Sequence, residues 1–97
     1  MAKAYWISAH RKVNDAAKVA AYAALAKPIL QSHGGRYLTS GIAAHAYEAG
    51  IKARVVIIEF ETVAAAIAAH ESAEYQNALR VLDGGSERDL RIVEGLD

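Results

Sequence analysis

The chain has 97 residues, 54% hydrophobic and 23% charged, which fits a single globular domain over residues 1–97. Its 11 Lys and Arg balance 11 Asp and Glu, so no basic surplus is present to hold nucleic acid. The lack of cysteine excludes disulfides, thiolate zinc sites and cysteine nucleophiles. No run approaches the ~18 apolar residues that span a bilayer, and no signal-peptide pattern is visible. We therefore expect a cytoplasmic protein without a membrane partner.

The first third of the chain predicts a strand followed by a long helix. Lys3–Ala9, "KAYWISA", carries two aromatic residues and an isoleucine, as is typical of a strand. Asn14 or Asp15 can cap the alanine-rich helix that follows, whose larger apolar residues recur at helical spacing. Pro28 predicts a kink or a restart of this helix, because proline lacks a backbone donor and clashes with the preceding turn. Gly34–Gly35 predicts its end.

The middle of the chain predicts further strands. Arg36–Ser40, "RYLTS", is a short strand candidate, and Gly41 suggests a bulge or bend after it. Ala44–Gly50 is expected to resume extended structure. The strongest strand prediction is Arg54–Phe60, "RVVIIEF", in which four aliphatic residues form an unbroken run.

The last third predicts two short helices and a closing strand. Thr62 and Ser72 can each cap a helix, Gly84–Gly85 ends the second one, and Arg88–Gly95 follows as a strand. The resulting order is β-α-β-β-α-β. This predicts an α+β fold of the ferredoxin-like type, with an antiparallel sheet and the helices on one face.

The third strand is apolar on both of its faces. Val55 and Ile57 point one way, whereas Val56 and Ile58 point the other. The second face of a sheet covered by helices on one side should instead be polar in a monomer. We therefore expect a homodimer whose interface includes Trp6, Val56 or Ile58, or the neighbours of opposite parity if those face outward.

Four segments carry a resemblance to a known family. They are "KAYWI", "GGRYL", "RVVIIEF" and "SAEYQNALR", in this order within Lys3 to Gly95. Together they resemble the domain-of-unknown-function family 1330 of the dimeric α+β barrel superfamily. The resemblance implies a ferredoxin-like protomer whose sheet packs against that of a second copy. It implies no reaction, since proteins of similar fold include cofactor-free monooxygenases, isomerase-like enzymes and haem proteins.

Three side chains are candidates for a site between the helices and the sheet. Arg36 follows two glycines and could hold an anionic ligand, or it could form an ion pair with Glu59. Glu59 could act as a general base, or it could simply mark the end of its strand. Tyr75 could present its hydroxyl to a ligand, or it could be a core residue.

Three more residues complete the candidate set. His70 and His10 are acid/base or ligand-binding candidates, with a surface or capping role as the alternative for each. Ser72 chiefly indicates a helix N-terminus, although with His70 and Tyr75 it could form one wall of a cleft. The histidines lack the spacing of a metal site, and no phosphate-binding loop is present, so we expect neither a metal nor another cofactor.

These residues leave three functions open. The first is a cofactor-free enzyme, isomerase-like or monooxygenase-like, acting on a small anionic or carbonyl-bearing compound. Arg36 would hold this substrate, Glu59 or His70 would move a proton, and Tyr75 would donate a hydrogen bond. The second is a non-catalytic ligand-binding module, and the third is a structural dimer without a pocket.

Overall fold

The computed structural model describes residues 2–96 and contains four strands and three helices. The strands are β1 (Ala4–Val13), β2 (Arg36–Ile42), β3 (Arg54–Phe60) and β4 (Ser86–Glu94). The helices are α1 (Ala16–Ser32), α2 (Val63–Glu71) and α3 (Ala73–Leu82). The strands form one antiparallel sheet in the order β2-β3-β1-β4. The predicted ferredoxin-like α+β fold is confirmed, and β1 and β3 form the central pair of the sheet.

Alternation along β1 separates a helix-covered face of the sheet from an open face. Its buried side chains are Ala4, Trp6, Ser8 and His10. The residues between them are partly exposed, as the period of two in a strand requires. Trp6 pairs with Ile58 of β3 and with Ile92 of β4, so the same face continues across the sheet.

The helix-covered face carries the residues that we named for the dimer interface, and that choice was wrong. Trp6 and Ile58 are each 1% exposed and belong to the core, and Val56 packs against that core. The reason is parity, because a strand that is apolar on both faces does not show which face the helices cover. The open face carries the neighbours of opposite parity, Tyr5, Ile7, Val55 and Ile57.

The helices begin at the residues that the sequence predicts. The Asp15 carboxylate accepts hydrogen bonds from the amides of Ala17 and Lys18 at 3.0 and 3.2 Å. Thr62 and Ser72 cap α2 and α3 in the same way. Each cap satisfies an amide that would otherwise lack a partner in the first helical turn. Ser72 therefore marks a sharp change of direction between α2 and α3.

Of the kink or restart predicted at Pro28, the structure excludes the restart. Helix α1 is continuous from Ala16 to Ser32 and includes Pro28 in its last turns. Proline in a helix interior costs about 3 kcal/mol. Ala26 and Leu30 on either side of it are buried in the core, and their packing holds the helix together across the missing hydrogen bond.

Two further predictions on the β2–β3 connection were wrong. Ala44–Gly50 is an irregular loop, in which Glu48 adopts a positive φ and a turn joins the Gly50 amide to the Tyr47 carbonyl. The bulge of β2 falls near Leu38, between Tyr37 and Thr39, and not at Gly41. Mostly exposed side chains give this segment no apolar alternation that could enforce a strand.

Gly35 lies where the chain turns from α1 into β2, and its amide bonds to the Leu30 carbonyl at 2.8 Å. A Cβ atom at Gly35 would stand 2.7 Å from that carbonyl and 3.0 Å from side-chain atoms of Ile58 and Phe60. We expect Gly35→Ala to lower the free energy of unfolding by about 1–3 kcal/mol, because the contacts are to backbone and core.

The matched control is Gly41→Ala, where a Cβ meets nothing within 4 Å. This variant should stay within about 0.5 kcal/mol of the wild type. Urea unfolding of the three proteins measures both effects. Equal stability of Gly35→Ala and wild type would show that the junction is not tightly packed.

Candidate functional site

A cleft of about 600 Å³ opens between α1 and the helix-covered face of the sheet. Trp6, Val56 and Ile58 form its floor, and the facing side of α1 contributes Ala20 and Ala23. Alanine side chains end at Cβ, so this side of the helix cannot fill the space above the sheet. The cleft therefore follows from the alanine-rich sequence of α1 together with the large residues of the two central strands.

The charged groups around the cleft are all basic. Lys27, Arg54 and Arg88 line it, together with His10, and no Asp or Glu in residues 2–96 does so. The chain as a whole carries no net charge, so the positive charge is a local feature of this site. Basic groups above apolar walls attract a negatively charged ligand, because low-dielectric walls focus the field of the charges.

Arg88 lies in a cluster with two tyrosines instead of a carboxylate. Its guanidinium donates to the hydroxyl oxygens of Tyr22 and Tyr75 at 3.0 and 3.4 Å, and these two oxygens lie 2.7 Å apart. The guanidinium carbon also stands 4.8 Å from the centre of the Tyr22 ring. No Asp or Glu among the described residues forms an ion pair with Arg88, so none of these residues neutralises its charge.

Ser8 adds a polar group that the fold does not satisfy. Its side chain lines the cleft and is 3% exposed, and its Oγ forms no hydrogen bond with any described group. An unpartnered buried hydroxyl costs about 1–3 kcal/mol relative to a satisfied one. Such a group in a native protein requires an explanation, and a ligand in the cleft would supply its partner.

His10 is held in one tautomer by its neighbours. Its Nδ1 lies 2.7 Å from the Ser86 Oγ, and the Ser86 hydroxyl donates its single proton to the Lys12 carbonyl at 3.1 Å. Both contacts form together when Nδ1 carries the imidazole proton, which leaves the lone pair on Nε2. Burial lowers the pKa of His10, and the nearby Arg88 and Arg54 lower it further. The imidazole is therefore neutral at pH 7 and can accept a proton.

Arg36 and Glu59 lie on the open face of the sheet, away from the cleft. They are opposite each other in the β2–β3 ladder, but no ion pair joins them within the described residues. The Glu59 carboxylate instead lies 3.5 Å from the Lys3 ammonium. The prediction that Arg36 and Glu59 share a pocket with Tyr75 was wrong, because Glu59 stands between two strand residues, Ile58 and Phe60, that face the helices.

His70, Ser72 and Tyr75 do lie together, but they form the corner between α2 and α3 and do not line the cleft. Tyr75 is fully buried, with its ring edge-on to that of Trp6 at 5.1 Å. The His70 ring packs on the same two aromatic rings at 5.6 and 5.2 Å. Ser72 caps α3 by accepting from the Tyr75 amide. Only the Tyr75 hydroxyl reaches toward the cleft, through its contact with Tyr22.

Of the six candidate residues, only His10 lines the cleft. Sequence reasoning missed Ser8, Tyr22, Arg54 and Arg88. A signal for one of them exists, since Ser8 shares the parity of Trp6 and His10 in β1. Arg88 lies opposite His10 in the β1–β4 ladder, and that register cannot be read from one strand alone.

Residues 2–96 contain no group of three His, Cys, Asp or Glu side chains that could hold a metal ion. None of the helices described in this range is both long enough and apolar enough to cross a membrane.

A protein-family comparison classifies the chain. The family model described as "Domain of unknown function (DUF1330)" matches residues 3–96. The chain belongs to this family. The description of the family names no reaction. No curated protein matches the sequence.

Solved structures confirm the fold of this DUF1330 chain. A protein of unknown function from Rhodopseudomonas palustris matches with a TM-score of 0.77 at 17% identity, over 99% of this chain and 84% of that one. A "putative antibiotic biosynthesis monooxygenase" from Nitrosomonas europaea matches with a TM-score of 0.62 at 18% identity, over 98% and 90%. A Bacteroides thetaiotaomicron protein described as a "possible oxidoreductase" gives 0.57 at 11% identity, over 97% and 96%. At these identities the likeness concerns the fold alone.

The lowered pKa of His10 predicts a pH dependence of stability. As the pH falls, the unfolded chain binds the proton first, at its ordinary pKa of about 6.5. The contribution of neutral His10 is therefore fully present above about pH 6.5 and is lost as the pH falls through the lower pKa of the folded state. We expect the free energy of unfolding to fall more steeply below about pH 6.5 in the wild type than in His10→Asn.

Asparagine is the matched replacement because its amide can still donate to Ser86 but does not titrate. Urea unfolding between about pH 7 and 5 measures the two slopes. Parallel pH profiles for wild type and His10→Asn would contradict a lowered pKa at His10.

Proposed function

We propose that this protein binds a small organic anion with an apolar body in the cleft and transfers a proton on it. The observation that carries the proposal is the lining of the cleft, in which every charged group from residues 2–96 is basic and none of their carboxylates pairs with Arg88. A structural dimer without a ligand has no use for such a lining. An unpaired cation and an unpartnered buried hydroxyl each reduce the stability of the free protein, and a bound anion would offset this cost.

The walls and the charges select the ligand in different ways. The apolar floor and the alanine side of α1 favour a flat or branched hydrocarbon body, at about 0.8 kcal/mol for each buried CH₂. Arg88 and Arg54 favour a negative charge on that body. The cleft volume of about 600 Å³ lies within the range of about 300–1,000 Å³ that is typical of small-molecule pockets.

His10 is the group that we assign to proton transfer. Its Nε2 lone pair can remove a proton from a carbon next to a carbonyl group, and the electrons of that C–H bond then move to the carbonyl oxygen. The product is an enolate, whose negative oxygen Arg88 or Arg54 stabilises at the moment it forms. For a substrate with a C=C bond conjugated to the enolate, return of the proton from the His10 imidazolium to the far carbon of that dienolate completes an isomerisation and restores the neutral base.

The descriptions of the structural neighbours support an enzymatic function but do not indicate a substrate. The Nitrosomonas europaea protein is described as an oxygenase and the Bacteroides thetaiotaomicron protein as an oxidoreductase. Both descriptions, a "putative" monooxygenase and a "possible" oxidoreductase, support an enzymatic role without naming a substrate for this chain. The alternative is a non-catalytic module that uses the same cleft for ligand binding, and turnover distinguishes the two.

Exchange of carbon-bound protons tests the proposed chemistry. Phenylpyruvate has an aromatic body, a carboxylate and acidic protons next to its carbonyl group. We expect the wild type to accelerate exchange of these protons for deuterium in buffered D₂O, as followed by proton NMR. His10→Asn should lower the protein-dependent rate by about 10²-fold or more, the usual range for loss of a general base.

The control for this experiment is His45→Asn, a change of the same kind in the exposed β2–β3 loop. It should leave the exchange rate unchanged. Binding of phenylpyruvate without any acceleration by the wild type would favour the non-catalytic module. Equal rates for His10→Asn and wild type would remove His10 from the mechanism.

We also propose that the protein is a homodimer that covers the open face of its sheet. Tyr5, Ile7, Val55 and Ile57 give this face an apolar surface on the two central strands, and none of the three described helices covers it. The molecule measures 37 × 33 × 15 Å, so its broad face can supply the ~800 Å² per partner of a standard interface. A second copy supplies the same apolar surface in return.

We expect light scattering at micromolar concentration to show a dimer for the wild type and a monomer for Ile57→Arg, because a buried unpaired charge opposes association. The control is Ile67→Arg, since Ile67 lies on α2 and is 48% exposed. That variant should remain dimeric. A monomeric wild type would refute the dimer.

A further inference from the structure

The hydrogen bonds of the Tyr22–Tyr75–Arg88 cluster leave one hydroxyl proton without an acceptor. The Arg88 guanidinium can only donate, and it donates to both tyrosine oxygens. The 2.7 Å contact between the two hydroxyls uses the proton of one of them. The proton of the other hydroxyl has no acceptor among the described residues.

Burial indicates which hydroxyl keeps the free proton. Tyr75 is 0% exposed and does not line the cleft, whereas Tyr22 lines the cleft and is 8% exposed. If Tyr22 donated to Tyr75, the unsatisfied proton would be sealed in the core, which is unfavourable. The favoured arrangement therefore runs from Tyr75 to Tyr22, and the Tyr22 proton is available to a group in the cleft.

The electrostatics of the cluster keep this proton in place. Burial raises the pKa of Tyr22, and the neighbouring Tyr75 raises it further against the opposing effect of Arg88. Tyr22 is therefore protonated at neutral pH. Arg88 has five N–H donors, and those not used by the tyrosines find no acceptor in the described chain.

We infer that Tyr22 donates its hydroxyl proton to a carboxylate oxygen of the ligand, beside Arg88, and that Tyr75 is the positioning residue that directs this proton. The inference rests on the proposed role of the cleft and names the ligand class, an apolar body bearing a carboxylate. Two adjacent donors match the two oxygens of a carboxylate. The apolar floor of the cleft, Trp6, Val56 and Ile58, matches the apolar body of such a ligand.

Benzoate and its neutral isostere benzamide test this assignment by isothermal titration calorimetry. We expect the wild type to bind benzoate at least about tenfold more tightly than benzamide. Tyr22→Phe should remove most of this preference, because it removes the donor and keeps the ring. Tyr75→Phe should reduce it about threefold, because the Tyr22 proton is then free to turn away from the ligand.

The matched control is Tyr37→Phe. Tyr37 also lines the cleft, and burial raises its pKa to about 12, but its hydroxyl has no contact with Arg88. It should leave the benzoate preference unchanged. If Tyr22→Phe does not fold, Tyr75→Phe tests the inference instead, because its ring still fills the core. The benzoate preference should then fall in Tyr75→Phe.

The outcomes separate this inference from the proposed reaction. The carbon of benzoate that bears the carboxylate carries no hydrogen, so benzoate cannot undergo the proposed proton transfer. Its binding therefore does not depend on catalysis. A benzoate preference that requires Tyr22 supports the inference even if phenylpyruvate shows no exchange. Equal preference in wild type, Tyr22→Phe and Tyr75→Phe, or no benzoate binding by the wild type, overturns it.

Discussion

The contact between Tyr22 and Tyr75, held by Arg88, is the interaction on which the site depends. It joins the middle of α1 to the first turn of α3, and Arg88 adds β4 as the third element. With α1 fixed against α3 on one side, its alanines stand over β1 and β3 without filling the space between. Two hydroxyl oxygens accept hydrogen bonds from the guanidinium but do not neutralise it, so the same contact that fixes the helix leaves a positive charge at the cleft.

The cleft reduces the core that a chain of this length can build. Small domains bury only about 60–65% of the surface of the unfolded chain, and alanine contributes little apolar area to that burial. The aromatic side chains compensate, because Trp6 packs against Tyr75, Phe60 and the His70 ring within 5.1–6.1 Å. His70 and Tyr75, which the sequence suggested as catalytic residues, thus belong to the aromatic packing that offsets the stability lost to the open cleft. A second copy on the open sheet face would add further burial.

The fold could be predicted from the sequence because its signals are local. Helix caps mark the helix starts within a few residues, at Asp15, Thr62 and Ser72. The strands are marked in the same local way by their apolar runs. The loop at Ala44–Gly50 could not be predicted in this way. Its mixture of alanine and exposed polar residues shows neither the helical nor the strand periodicity of apolar residues. The restart of α1 predicted at Pro28 was wrong for a different reason, because core contacts on both sides outweighed a local preference.

The site was harder to predict because it depends on parity and register. Glu59 and His10 both follow apolar residues of a strand. His10 has the same parity as the buried Trp6 and therefore lies on the helix-covered face, whereas Glu59 has the opposite parity to Ile58 and Phe60. Arg88 approaches His10 through the β1–β4 register, which no local pattern encodes. Tyr75 was predicted near a pocket, and its hydroxyl does reach the cluster at the edge of the cleft. Its role there is indirect, through the oxygen of Tyr22.

The central claim is that the cleft under α1 holds an organic carboxylate. Crystals grown with 4-bromobenzoate test it directly, because the anomalous signal of bromine locates the ligand independently of its shape. The account predicts a bromine peak between Ala23 and the Trp6 side of the sheet, with the carboxylate toward Arg88 and Tyr22. A bromine peak on the open face of the sheet, with no density in the cleft, would contradict it.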